Sequence, residues 1–136
     1  MLDVPKVVFT EKDIRNRPLL ESMILKESMS IFSSDPARKG RTLAEIKRTV
    51  RQGKIAEVWL SENTNLKLSD DRYHDLVDSE GNFIEVKAYN VYNSSAPYVQ
   101  SDLKRIREST WNRSKWYYLF QHRNGEYQFL EKISIR

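Results

Sequence analysis

Asn124-Gly125 stands between the runs WYYLFQHR and EYQFLEKI, and no other feature of the chain constrains its fold as tightly. Asn-Gly suits the two central positions of a type I′ turn, where both residues need positive φ, and such a turn joins antiparallel strands directly. The flanking runs are rich in aromatic and branched residues, so the spacing predicts a hairpin of two long strands. A second extended pair lies upstream. Arg72 to Val77 and Phe83 to Tyr89 alternate with period two around Asp78-Ser79-Glu80-Gly81-Asn82, which predicts another antiparallel hairpin.

The N-terminal half is helical in pattern. Thr10 is placed to cap a short turn, and Pro18, at a first helical position, opens a helix over LLESMILKESMSIF. Leu19, Met23, Ile24, Met29 and Phe32 form its apolar stripe. SSDPARKG reads as a loop with a turn at Asp35-Pro36. Thr42 and Glu45 fit a capping box that opens a basic helix running to about Gln52. Gly53 predicts a break or bend, and KIAEVWLSEN a further helical stretch with Ile55, Val58 and Trp59 on one side. Residues 90–100 are polar and interrupted by Pro97, which predicts a loop, and Ser101 leads into a short basic helix ending near Ser109. Helices, hairpin, helix and hairpin in that order make an α+β domain with a mixed central sheet flanked by helices. At 136 residues the chain is one domain, with residues 1–34 a helical segment and candidate dimer interface and residues 35–136 the core.

Composition removes several classes of function. No apolar run approaches the roughly 20 residues of a membrane span, so no membrane partner is expected. The start, MLDVPKVVFTEKD, lacks the apolar stretch of a secretory signal. Cysteine is absent, which leaves no disulfide framework and no thiolate ligand or nucleophile, and cytoplasmic residence is the expectation. The net charge of +4 is unevenly spread. Arg38, Lys39, Arg41, Lys47, Arg48, Arg51 and Lys54 stand against the single acid Glu45. Lys104, Arg105, Arg107, Arg113 and Lys115 interleave with Trp111 and Trp116. Such clusters attract polyanions, nucleic acid first among them, although a solvated helix face gives the same pattern.

The hairpin at 75–87 carries the chemistry. Residues two apart on a strand point to one face, so Phe83, Glu85, Lys87 and Tyr89 share a face while Ile84, Val86 and Ala88 point to the core. The turn returns the first strand alongside, bringing Asp75 near Glu85 and Lys87. Paired carboxylates suit Mg²⁺, which takes few protein ligands and keeps several waters. A metal so held polarises a phosphate oxygen and acidifies water, and a neighbouring ammonium orients that water and offsets transition-state charge. An ordinary cross-strand ion pair on an exposed strand is the competing reading of Glu85 and Lys87.

Asp75 followed by Glu85-Val86-Lys87 resembles the PD-(D/E)xK nuclease motif, with His74 where the motif has proline. The pattern Asp75, Val77, Asp78, Gly81, Glu85, Lys87 is similar to that of PvuII-type restriction endonucleases. So are the preceding Gly53-Lys54-Ile55-Ala56-Glu57-Val58-Trp59-Leu60 and the tryptophan-led run from Trp116, so that the likeness spans roughly residues 50–125. It implies a restriction-endonuclease-like core and a Mg²⁺-dependent, site-specific endonuclease for double-stranded DNA, with Mn²⁺ able to substitute. It also implies a metal held by Asp75, Glu85 and Val86, Lys87 as the group that positions water, and a homodimer. Glu57, in the Gly-x-x-x-Glu arrangement from Gly53, joins the catalytic set as an extra metal ligand or is a dimer-interface residue, an exposed acid paired with Lys54 being the competing reading. Two other outcomes stay open. One is a structure-specific nuclease of the Holliday-junction or phage-recombination kind, and the other an inactive nuclease fold that binds DNA. The segment Ser94-Ser95-Ala96-Pro97-Tyr98 lacks the histidines of the PvuII-type enzymes, so the same recognition sequence is not expected.

For DNA contacts the sequence offers two sets. Lys39, Arg41, Lys47, Arg48, Arg51 and Lys54 are expected on phosphate, which carries no sequence information. Asn93, Ser94, Tyr98, Gln100, Lys104 and Arg107 are expected to reach base edges.

Overall fold

A computed structural model describes residues 4–34, 39–71, 73–90 and 93–136. The Asp35-Pro36 turn, Arg38 and Arg72 lie outside the described residues. The elements are β1 (Phe9–Thr10), a 3-10 turn (Glu11–Asp13), α1 (Arg17–Phe32), α2 (Leu43–Asn63), β2 (Lys67–Leu68), β3 (Leu76–Val77), β4 (Phe83–Tyr89), α3 (Pro97–Glu108), β5 (Trp116–Arg123) and β6 (Glu126–Ser134). The six strands form one sheet in the order β1-β6-β5-β4-β3-β2. Among the described strands only β4 and β5 run parallel. The architecture is α+β with a mixed sheet, as the sequence predicts.

Asn124 and Gly125 have φ of 52° and 79°, the positive pair that a type I′ turn demands. They join β5 and β6 in register from His122–Tyr127 outward to Trp116–Ser134, with a bulge at Leu119/Phe120. Parallel β4 and β5 sit mid-sheet, where both faces are covered. Tyr118 and Phe120 point into a core formed with Leu20 and Ile24 of α1, Ile46, Val50, Val58 and Trp59 of α2, and Ile84 and Val86 of β4. Tyr117 and Leu119 point the other way, onto Val99, Leu103 and Ile106 of α3. Phe9 is stacked between Trp59 (4.1 Å) and Tyr127 (5.2 Å), which fixes the short edge strand β1.

Three expectations are corrected. α2 is one continuous helix through Gly53, opened by the Thr42–Glu45 capping box. The isolated glycine costs about 1 kcal/mol against alanine, less than the apolar face on either side of it recovers by burial. Second, Pro97 begins α3 instead of interrupting a loop, because proline suits the first helical turn, where its missing N–H has no partner to lose. Third, the buried stripe of α1 is Leu20, Ile24 and Ser28, while Met29 is exposed and Leu19 half-buried.

Candidate active site

β3 is only two residues long, and its brevity makes the site. It covers Phe83 and Ile84 of β4, and among the described residues the edge from Glu85 to Tyr89 has no strand partner on that side. Extending the register Leu76–Ile84 by one residue sets Asp75 opposite Glu85. The chain has left the strand there, and the Asp75 carboxylate accepts the Val86 N–H at 2.8 Å, the donor a longer β3 would have used. The N–H and C=O of one strand residue leave along the same edge, so the Val86 carbonyl faces the side on which Asp75 lies.

His74, one residue before, locks this turn. It is buried and stacked on Phe83 at 3.8 Å. Its Nε2 accepts the backbone N–H of Arg113 at 2.9 Å, so Nδ1 carries the proton and donates to Asp71 Oδ2 at 2.8 Å. The Asp71 carboxylate also takes the Tyr73 and His74 N–H groups. His74 is thus a strut between the Asp75 turn and the start of β5, a part that nothing in its sequence context announces.

Around Asp75 the cleft collects charge. Glu85 is 8% exposed, with Oε2 at 3.5 Å from Lys87 Nζ and Oε1 accepting from Asn112 Nδ2 at 2.9 Å. Glu57, 5% exposed on α2, pairs with Lys54 at 3.2 Å, and Lys54 also meets Glu27 of α1 at 3.3 Å. Burial, with Glu57 and Glu85 close by, raises the Asp75 carboxyl well above its ordinary range. Burial lifts Glu57 to about 7, against the pull of Lys54. Although burial disfavours their charged forms, Lys54 and Lys87 are raised by their carboxylate neighbours and stay cationic. A cleft of about 730 Å³ joins these groups, its walls including Arg41, Gly53, Tyr73, Arg105 and Trp111. Beside it, Asp102 of α3 accepts from Tyr89 Oη (3.2 Å), Tyr117 Oη (3.0 Å) and Arg105 (2.7 Å), tying α3 to the sheet behind Lys87.

The structure therefore brings together Asp75, Glu85, Lys87, Glu57 and Lys54. Asn112 and Tyr73 join them from loops that no spacing rule connects to the motif. Among the described residues no three acidic or histidine side chains stand as a ready-made metal group. Mg²⁺ asks for only one or two carboxylates, however, and buried carboxylates held close together are the donor set that a cation relieves. Asp75 and Glu85 fit that requirement, and the Val86 carbonyl lies on their side of the strand.

The expected DNA contacts divide by position. Lys39, Arg48 and Lys104 are exposed and Lys47 half-buried, while Arg41 lines the cleft. Arg51 bridges to Glu21 and Glu11, joining α2 to the N-terminal segment, and Lys54 is turned inward. Arg107 is bonded to the Ile135 carbonyl at 2.9 Å. Gln100 donates to the Ser94 carbonyl at 2.7 Å, Asn93 caps the Ser95 N–H at 2.9 Å, and Tyr98 Oη reaches the Asn90 carbonyl at 3.3 Å. No described helix is long and apolar enough to cross a membrane. Comparison with protein-family models, with curated proteins and with solved structures returned no match to this chain.

Proposed function

We propose that the cleft is the active site of a Mg²⁺-dependent endonuclease that hydrolyses phosphodiester bonds in DNA, on a restriction-endonuclease-like core. The observation that carries this reading is the placement of Asp75 opposite Glu85 at the open edge of β4, with Lys87 on the same face as Glu85. Asp75, Glu85 and the Val86 carbonyl would hold the ion, which supplies a Lewis acid for a phosphate oxygen. Lys87 keeps its proton and donates hydrogen bonds to the attacking water or to the charge that gathers on phosphorus oxygens as the bond forms. Asn112 fixes the Glu85 carboxylate, and Asp75 is fixed by the Val86 N–H, so neither acid has to be ordered when substrate arrives. Glu57 lines the same cleft, paired with Lys54 at 3.2 Å.

Lys39, Lys47 and Arg48 are the phosphate contacts this reading retains, with Arg41 inside the cleft. Lys104 and Tyr98 are the exposed groups on α3 from which base reading would come. One chain carries one Asp75–Glu85–Lys87 set, so cutting both strands at a fixed site calls for a two-fold dimer. Leu25 and Met29 are exposed on α1 and are the dimer contact proposed here. Incubation with a long duplex and Mg²⁺ tests the reading: discrete fragments support a site-specific enzyme. Cutting only at branched or single-stranded points supports the structure-specific kind, and binding without cleavage leaves an idle DNA-binding fold.

A further inference from the structure

Tyr73 and Trp111 lie face to face, centroids 5.8 Å apart and planes 22° apart, at the wall of the cleft that holds Asp75 and Glu85. Both are exposed, Tyr73 at 39% and Trp111 at 68%, so a large aromatic surface is left in water beside a polar, charged pocket. Neither ring sits on a loose loop. Ser109 Oγ accepts the N–H groups of Trp111 (3.1 Å) and Asn112 (2.9 Å), and Asp71 Oδ1 accepts that of Tyr73 (2.8 Å). Asn112, next to Trp111, is the residue that holds Glu85. The ring pair is thus tied at both ends to the turns that set the carboxylates, and Arg41 and Arg105 share the cleft wall.

We propose that the Trp111–Tyr73 pair is a stacking platform for an unpaired nucleobase next to the scissile phosphate. This rests on the nuclease reading and names its substrate class: DNA with a frayed, flapped or single-stranded nucleotide at the cut. Every base offers a π-face to a ring fixed in this way, so the contact selects for an unstacked base and not for its identity. A fully paired duplex keeps its bases stacked on each other and gains nothing from Trp111.

The test is binding in EDTA, which separates it from cleavage, using three fluorescein-labelled probes: a 20-mer oligothymidine, a 20-base-pair duplex, and the same duplex with a three-nucleotide flap. Far-UV circular dichroism checks that the variants are folded. The platform predicts that Trp111→Ala weakens the flap and single-strand probes about five- to hundred-fold. Duplex affinity stays within about two-fold, and Trp111→Phe keeps most of the affinity that Trp111→Ala loses. It also predicts that the single strand quenches Trp111, the most exposed of the three tryptophans, a signal absent from Trp111→Phe. Equal affinity of wild type and Trp111→Ala for the flap probe would overturn the proposal, as would equal loss on all three probes. A single-stranded RNA arm reports whether the sugar matters; binding of RNA alone also overturns it. If flap binding depends on Trp111 but no DNA is cut with Mg²⁺, the nuclease reading fails and the platform stands. If duplex is cut and Trp111→Ala changes no probe, the reverse holds.

Discussion

Asp75 and Val86 are joined by a 2.8 Å hydrogen bond from a strand N–H to a carboxylate, made just before β3 begins, where β4 runs on paired with β5 alone. That bond fixes an acid at an open sheet edge and turns a shortened strand into a site.

His74 should matter through position. His74→Ala leaves the Arg113 N–H without its acceptor and removes the stack on Phe83. A loss of about 1–3 kcal/mol in denaturant unfolding is expected, together with reduced cleavage as the Asp75 turn loosens. Wild-type stability would show that the strut carries no load.

Gly53 lies mid-helix with ordinary helical φ, and a Cβ there meets nothing nearer than Glu57 Oε2 at 4.0 Å. Gly53→Ala should therefore raise stability by about 0.5–1 kcal/mol, read as a higher Tm. A lower Tm would mean that the cleft wall cannot accept a methyl group.

The buried acids should lower the stability of the metal-free protein as pH rises from about 4.5 to about 7, with His122, lowered by burial, acting against them near the top of that range. Glu57 holds its proton up to about 7 in the folded state and releases it near 4.5 once unfolded, so the folded state binds more protons across that window. Asp75 is raised too and acts in the same direction. Mg²⁺ should restore stability at neutral pH, and Glu57→Gln should flatten the slope. A Tm that climbs from pH 5 to 7 in EDTA would contradict the buried, raised acids.

The basic start of α2 should bind phosphate without reading sequence. Lys47→Ala with Arg48→Ala should weaken all duplexes alike and reduce the salt slope by about 0.9 for each phosphate that is no longer neutralised. A change of site preference would instead place base reading on that helix.

Much of this was legible because it is local. Register across a hairpin is arithmetic, so the spacing of Asp75 and Glu85 places them opposite each other. Asn124-Gly125 states its own backbone angles. What escaped is non-local or too short. β1 and β2 are two residues each and carry no periodicity. Gly53 suggests a break only while the burial of Val50, Val58 and Trp59 on the same helix is unknown. Asn112 reaches Glu85 from 27 residues away, and Lys54, basic in sequence, is drawn inward by Glu57 and Glu27, which no charge count foresees.

The central claim is tested most directly by single-turnover cleavage of a long duplex and its flapped counterpart by wild type, Asp75→Asn, Glu85→Gln and Lys87→Ala, each checked for fold and DNA affinity. The account predicts cleavage by wild type in Mg²⁺ or Mn²⁺ and none in EDTA. It predicts at least about a hundred-fold loss in each variant, with DNA binding kept by the two acid variants. Undiminished cleavage in excess chelator, or near-normal turnover by a folded Asp75→Asn, would contradict it.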